Sequence, residues 1–339
     1  LSIVIPCRND EYAGNMLEKL LASLTILIAQ LNRYRICSEI IVVDWNPPKE
    51  RKTLSEALVN FPQLGLCCLR VIEVGASFHN NFSGSDKKGI VGSVALNTGI
   101  RRAKGLFVTS KMADTYFSDE LMAFIGKQSL SPDCVYRADR LSVDVDSTAI
   151  NKNWQQIFEK KVTYRGVYNG NGPHLKACGD FFLMTKVSWF KIRGFHEPKS
   201  VIGLGEDGEA LYAAIGIGLT QICLLGKLCV FKIQHSNGHA SRIASKKVGL
   251  LQVFQKLSYK YRSILGFLYV RSIVTFFFRL ILGLFNLPRT KIHGLQVRSH
   301  YRWYLIALFR LKFGGARFLG RKDWGLSYAD LKETNIKEQ

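Results

Sequence analysis

Ser2-Ile3-Val4-Ile5-Pro6-Cys7-Arg8-Asn9-Asp10-Glu11 reads as one short apolar strand running directly into a polar loop. A second run, Glu39-Ile40-Ile41-Val42-Val43-Asp44, is rich in β-branched residues and ends on an acid. Between them, 15–31 carries apolar residues on one face at helical spacing. The alternation continues with a helix over 51–60, a strand over 68–74, a helix over 94–104 and a strand over 106–110. Strands alternating with helices of this length predict βαβ units, hence an α/β fold with a mostly parallel, Rossmann-type sheet flanked by helices. In such sheets the ligand crevice lies beyond the carboxyl ends of the strands. Those ends carry Cys7–Glu11, Asp44–Asn46, Ala76–His79 and Lys111–Asp114.

After Asp133 the pattern loosens. Strands are expected at 135–137, 181–185, 221–225 and 230–233, a glycine-rich stretch at 166–172 and a helix at 209–216. Residues 1–240 thus read as one catalytic-sized domain, with 1–120 as a nucleotide-binding half and 121–240 as an acceptor half. From 241 to 339 lysine and arginine far outnumber acids and alternate with aromatic and aliphatic residues, which predicts a basic, largely helical C-terminal extension.

The 339 residues, 47% of them hydrophobic, suffice for a real core and exclude a disordered chain or a multi-span membrane protein. Forty-seven basic against 26 acidic residues leave a net charge of +21, which favours polyanionic partners without choosing among them. The eight cysteines form no CxxC pair and several sit in apolar runs, so reduced core thiols are expected. The chain opens on a strand at Leu1 with no charged leader, so no signal peptide is read and a cytoplasmic location, peripheral to a membrane, is expected.

Several polar segments suit specific chemistry. Asp44, stopped by Trp45-Asn46-Pro47-Pro48, offers a carboxylate to a base N–H or a ribose hydroxyl; a loop acid or helix cap is the duller alternative. Asn97 and Arg101, on the helix over 94–104, suit ribose and phosphate oxygens, with a solvated basic face as the slightly favoured duller alternative. Asp114 stands where a carboxylate pair would chelate a divalent ion on a diphosphate, but the partner position holds Met112, a poor ligand for Mg²⁺ or Mn²⁺. Glu206-Asp207 follows Gly203-Leu204-Gly205; adjacent acids raise each other's pKa, as a general base requires, with dipole partners at a helix start as the duller alternative. Asp180 precedes an apolar strand that fixes its position, and His235 follows the strand over 230–233. The chain has no nucleophile elbow, no P-loop and no GxGxxG.

In this order the segments resemble the family 2 glycosyltransferases, inverting enzymes of the GT-A fold that use nucleotide-sugar donors. Ile3-Val4-Ile5-Pro6, Asp44, and Ala95-Leu96-Asn97-Thr98-Gly99-Ile100 with Ala103 and Gly105 match that family's donor half. Asp114 falls on the second acid of its Asp-x-Asp motif, followed by Phe117-Ser118-Asp119-Glu120-Leu121. Gly179-Asp180-Phe181 through Met184, Gly194-Phe195 and Glu206-Asp207 look like its acceptor half, and Asp323-Trp324-Gly325-Leu326 like a tail segment of some members. The resemblance implies sugar transfer to a glycan or lipid-linked hydroxyl in polysaccharide or glycoconjugate synthesis. By the same likeness Asp207 is the base, with Glu206 beside it. Asp114 is a ligand of Mg²⁺ or Mn²⁺, His235 is a further candidate ligand, and Pro6, Cys7, Arg8, Asn9, Glu11, Asp44, Asn97, Arg101, Asp114 and Asp180 line the donor site.

The apolar, aromatic stretch 263–287 carries Arg271 and Arg279, which suits an interfacial helix or a packed helix pair better than a span. With the basic residues after it, it predicts docking on an anionic membrane surface; a solvated helical cap is the alternative. No specific nucleic acid is expected, because no recognisable module gathers the charge. Two rivals remain at this stage: a sugar nucleotidyltransferase, which usually has a glycine-rich basic loop after the first strand, and a non-catalytic nucleotide- or glycan-binding relative, suggested by Met112.

Overall fold

The computed structural model describes residues 1–12, 14–59, 61, 63–127, 129–145, 153–168, 173–199, 201, 208–234 and 319–337, together with the backbone of 206–207, 291–292 and 295–296. The sheet begins with β1 (Ser2–Cys7), followed by α1 (Met16–Arg33), β2 (Ser38–Trp45), α2 (Leu54–Ala57), β3 (Cys67–Val74), α3 (Ala76–His79), α4 (Gly92–Arg102) and β4 (Phe107–Ser110). Then come β5 (Thr115–Phe117), α5 (Asp119–Gly126), β6 (Cys134–Val143), α6 (Trp154–Lys160), β7 (Val162–Gly166), β8 (Phe182–Thr185), α7 (Lys186–Ile192), α8 (Glu206–Gly216) and β9 (Thr220–Ile233). Two short strands, β10 (Lys291–Ile292) and β11 (Leu295–Gln296), pair with each other, and β12 (Glu333–Ile336) closes the described chain.

The main sheet runs β12-β3-β2-β1-β4-β8-β6-β9-β5, with β7 on β6. Strands β3, β2, β1 and β4 are parallel neighbours, as the alternation predicts. β8 enters antiparallel between β4 and β6, and β6 runs parallel to β9 for ten registered residues. Because β8 reverses the direction twice, the carboxyl ends of β4, β6 and β9 all reach the same edge.

Alternate side chains of the parallel strands feed opposite faces. Ile3, Ile5, Ile40 and Val42 pack with Leu20, Leu24, Leu27 and Leu31 of α1 and with Leu121 and Ile125 of α5. Val4, Ile41 and Val43 pack with Val94, Ala95 and Ile100 of α4, Trp189 of α7 and Leu211 and Ala214 of α8. The result is helix, sheet, helix, with the core on both faces. α4 lies unusually close to the strands because Gly99 has no side chain: a Cβ there would come within 2.4 Å of Val4 Cγ1.

The helix expected over 51–60 is only the four-residue α2. Thr53 and Glu56 form a capping box that starts it, but Val59, Asn60 and Pro62 are poor continuations and it stops. The two strands expected at 221–225 and 230–233 are one, β9. Its register against β6 slips between Ala138 and Asp139, which face Leu224 and Cys229, and Gly226 at φ +69° turns the extra residues out. All eight cysteines are free, five of them buried, in line with core thiols.

The tail returns to the parallel β3-β2-β1-β4 half of the sheet. β12 adds antiparallel to β3 and covers that edge. Trp324 is buried in the second core cluster, and Arg102 donates to the carbonyls of Gly325, Leu326 and Ala329 at 2.8, 2.9 and 3.0 Å. So 319–337, within the region expected as a C-terminal extension, packs on the main sheet; the boundary near 240 lies outside the described residues. No helix among the described residues is long and apolar enough to cross a membrane, and the 263–287 stretch lies outside them.

Candidate functional site

Strand register builds the site. Ser110 at the end of β4 faces Phe182 at the start of β8, so Lys111–Asp114 leave the sheet where Asp180 enters it. On the far side Lys232, next to last in β9, faces Thr115 of β5 and Ser142 of β6. A tight turn fixes Asp114: the Thr115 amide and Oγ1 both donate to the Met112 carbonyl, at 3.2 and 2.8 Å. The Asp114 carbonyl in turn accepts from the Ile233 amide at 3.2 Å. Asp180 is held by the loop before it, which the buried guanidinium of Arg137 clips through the carbonyls of His174, Lys176 and Cys178.

Two carboxylates and two cations meet here. Lys232 Nζ lies 3.5 Å from Asp114 Oδ1 and 3.3 Å from Asp180 Oδ1. Arg140 Nη1 donates to Asp180 Oδ2 at 3.2 Å, and its Nε is buried with no partner among the described residues. Burial alone would lower the Lys232 pKa, but the two aspartates outweigh it and hold the ammonium charged. Behind them Lys111 is buried, donating to Ser23 Oγ and, at 3.2 Å, to the Met112 carbonyl. Its pKa falls to about 7 because burial outweighs the pull of Asp114, Asp180 and Cys7. Met112, at the position of the missing acid, packs against the second apolar core.

The loops that follow β1 and β2 form a second cluster at the ends of those strands. Cys7 faces Asp44 in the register. Asp44 Oδ2 accepts from the Leu54 amide at 2.7 Å, while Oδ1 is buried with no partner among the described residues. Burial, opposed by the Leu54 amide and reinforced by Glu73, raises the Asp44 pKa to about 7. Burial and the neighbouring Asp44 also push the Cys7 thiol up, so it is no nucleophile. Arg8 ties the loops together, with Nε on the Asn46 carbonyl at 2.6 Å and Nη1 on Asp10 at 2.9 Å. Asn9 donates to the Lys52 carbonyl at 2.8 Å, and Glu11 pairs with Arg51 at 2.6 Å. Pro6 lies within β1.

Two expected donor residues sit elsewhere. Asn97 is fully buried, receiving the Phe195 amide at 2.7 Å and donating to the Phe195 carbonyl and Glu197 at 2.8 and 2.9 Å. It brackets the loop after α7. Arg101 lies over the rings of Phe190 and Trp324, 5.7 and 5.1 Å from their centres. Glu206 and Asp207 occupy the first two positions of α8; their side chains, and all of His235, lie outside the described residues.

Lys232, Arg140 and Lys111 were not foreseen. The one signal was Lys232 itself, a lysine inside the apolar run Cys229-Val230-Phe231-Lys232-Ile233. Its meaning depends on strand register, which the sequence does not state.

No family model matches the chain, and no curated protein matches it. Among solved structures it is similar to S. aureus TarS 1–349, at 14% identity and a TM-score of 0.44, over 68% of this chain and 60% of that one. The same TarS fragment in complex with UDP gives 14% and 0.45, over 69% and 60%. The catalytic domain of Drosophila β1,4-galactosyltransferase 7 in complex with xylobiose gives 14% and 0.35, over 66% and 63%. The chain thus spans about 60% of the length of the TarS fragment it matches. The α/β fold itself rests on the chain's own strand order, in which the parallel β3-β2-β1-β4 half meets the antiparallel β8.

The residues described here do not fit a resident divalent ion. Mg²⁺ and Ca²⁺ take oxygen ligands at about 2.0–2.6 Å, in excess negative charge. The two carboxylates that converge are instead shared with the Lys232 ammonium, and no metal-holding cluster of His, Cys, Asp and Glu occurs among the described residues.

Proposed function

We propose that the chain is an inverting glycosyltransferase that moves a sugar from a nucleoside-diphosphate donor to a hydroxyl of a glycan or lipid-linked acceptor, in polysaccharide or glycoconjugate synthesis. The observation that carries this reading is the buried, unpartnered Asp44 Oδ1 at the same sheet edge as the charged group of Asp114, Asp180, Lys232 and Arg140. The first suits a base N–H or ribose hydroxyl, and the second an anionic leaving group. The order of motifs along the chain supports the same reading.

In this account Asp207 takes the proton of the acceptor hydroxyl. That oxygen forms a bond to the anomeric carbon, the bond from that carbon to the diphosphate oxygen breaks, and its electron pair leaves with the diphosphate. Lys232 and Arg140 offset the charge that develops there. Asp44 orients the nucleoside, with Arg8 and Asn9 holding the loops around it. The Mg²⁺ or Mn²⁺ implied by the family resemblance would draw on Asp114 and His235; the packing of Asp114 against Lys232 argues against that role. The basic, aromatic composition after 241 supports a peripheral site on an anionic membrane from the cytoplasmic side, facing a lipid-linked acceptor.

The test is release of nucleoside diphosphate from a panel of UDP-, GDP-, CDP- and dTDP-sugars. The native chain should turn over at least one donor, and a folded Asp207→Asn variant should lose turnover at least a hundredfold. Full turnover in that variant contradicts the assignment of the base. Nucleotide binding without turnover by the native chain favours the non-catalytic relative.

A further inference from the structure

We propose that Lys232 stands in for a divalent cation, so that this chain binds the diphosphate of its donor without a metal. The inference rests on the nucleotide-sugar reading above and names how that site handles charge.

Three observations carry it. First, the position that would complete a carboxylate pair with Asp114 is Met112, and its side chain is partly buried and packs against the apolar core. Second, the carboxylates that do converge, Asp114 and Asp180, are bridged by the Lys232 ammonium at 3.5 and 3.3 Å. An ion bound there would have to displace a like charge, held by the backbone of β9 between β6 and β5. Third, Arg140 approaches Asp180 from the same side, and its buried Nε has no acceptor among the described residues. A phosphate oxygen would supply that acceptor. Two fixed cations thus offset the two aspartates, so an arriving diphosphate does not meet uncompensated carboxylates. The Lys232 and Arg140 side chains both keep about a quarter of their surface exposed; the Arg140 Nε itself is sealed, so an arriving phosphate meets the exposed part of that side chain first.

The layout also explains why a lysine serves here. Lys232 lies at the end of a strand paired on both sides, so the ammonium has a fixed origin. A primary ammonium is a compact point charge that can face two carboxylates and a phosphate at once.

The experiment is calorimetric titration of the 339-residue chain with the nucleoside diphosphates UDP, GDP, CDP and dTDP, in EDTA and in Mn²⁺. It is paired with electron paramagnetic resonance of added Mn²⁺ alone. For the native chain we expect one diphosphate to bind in EDTA with an affinity that Mn²⁺ changes less than threefold, and free Mn²⁺ to show no binding to the protein. Lys232→Met, checked for folding by its melting transition, should weaken diphosphate binding in EDTA at least tenfold, and Lys232→Arg, which keeps the charge but not the compact ammonium, should restore only part of it. Diphosphate binding by the native chain that vanishes in EDTA and returns with Mn²⁺ overturns the inference while leaving the nucleotide-sugar reading standing. No binding in either condition overturns both. The native arms need no variant, so a Lys232→Met chain that fails to fold leaves the test intact.

Discussion

Asp44 and Leu54 make an uneven pair: the Leu54 amide satisfies Asp44 Oδ2 at 2.7 Å, while Oδ1 is equally buried and has no partner among the described residues. A carboxylate half-satisfied in a dry strand end favours its neutral form, which is why its pKa rises to about 7. In the proposed function the same oxygen is the one offered to the nucleoside.

That asymmetry predicts a pH effect on stability. The native pKa lies above the ordinary 3.8, so the native state holds this proton more tightly than the unfolded chain. The contribution is fully present below about pH 4 and is lost as pH rises to about 7, amounting to about 4 kcal/mol in all. Asp44→Asn removes the titration. Urea unfolding of the two chains should show the variant gaining on the native protein by about that amount between pH 4 and pH 8. A constant difference across this range contradicts the buried carboxylate.

Asn97 is predicted to matter for folding and not for the donor. Asn97→Ala leaves the buried Phe195 amide and carbonyl without their side-chain partner, which should cost about 1–3 kcal/mol. Diphosphate affinity should change less than twofold in the folded variant. A large loss of affinity with unchanged stability would return Asn97 to the donor site.

The tail depends on Arg102. Arg102→Ala removes the donor that three tail carbonyls share and should destabilise the chain by about 2 kcal/mol. Limited proteolysis should then cut within 319–337 well before the rest of the sheet is attacked. Equal cleavage rates in the native chain and the variant would show that β12 and the Trp324 packing hold the tail unaided.

Gly99 tests the packing of α4. An added methyl would meet Val4 Cγ1 at 2.4 Å and Val43 Cγ2 at 3.0 Å. Overpacking costs about 1–3 kcal/mol, against a gain of about 1 kcal/mol in helix propensity. Gly99→Ala should therefore be neutral to destabilising by about 2 kcal/mol in urea, and a stabilised variant contradicts the close approach.

Much of this was legible from local pattern. The β-branched run at 39–44, the amphipathic helix before it and the alternation that follows sufficed to order β1, α1, β2, β3, α4 and β4, because each element declares its own period. The mouth of the site was legible to the extent that it lies at strand ends, as with Asp44 and Asp114. What stayed hidden depends on register between distant segments. Asp180 meets Asp114 only because β8 runs antiparallel to β4, and Lys232 reaches both only because β9 lies between β6 and β5. Asn97 misled for the opposite reason: its spacing placed it beside the crevice, but its partners are on the loop after α7. The short strands β5 and β12 were missed because three or four residues carry too little period to be seen.

The most direct measurement is a thermal-shift panel of UDP, GDP, CDP and dTDP on the native chain and on Asp44→Asn. A ligand that binds only the folded state raises its melting temperature. One nucleoside diphosphate should stabilise the native chain by several degrees, and the shift should shrink by at least half in Asp44→Asn. No shift with any of the four would contradict a nucleotide-sugar site at this sheet edge.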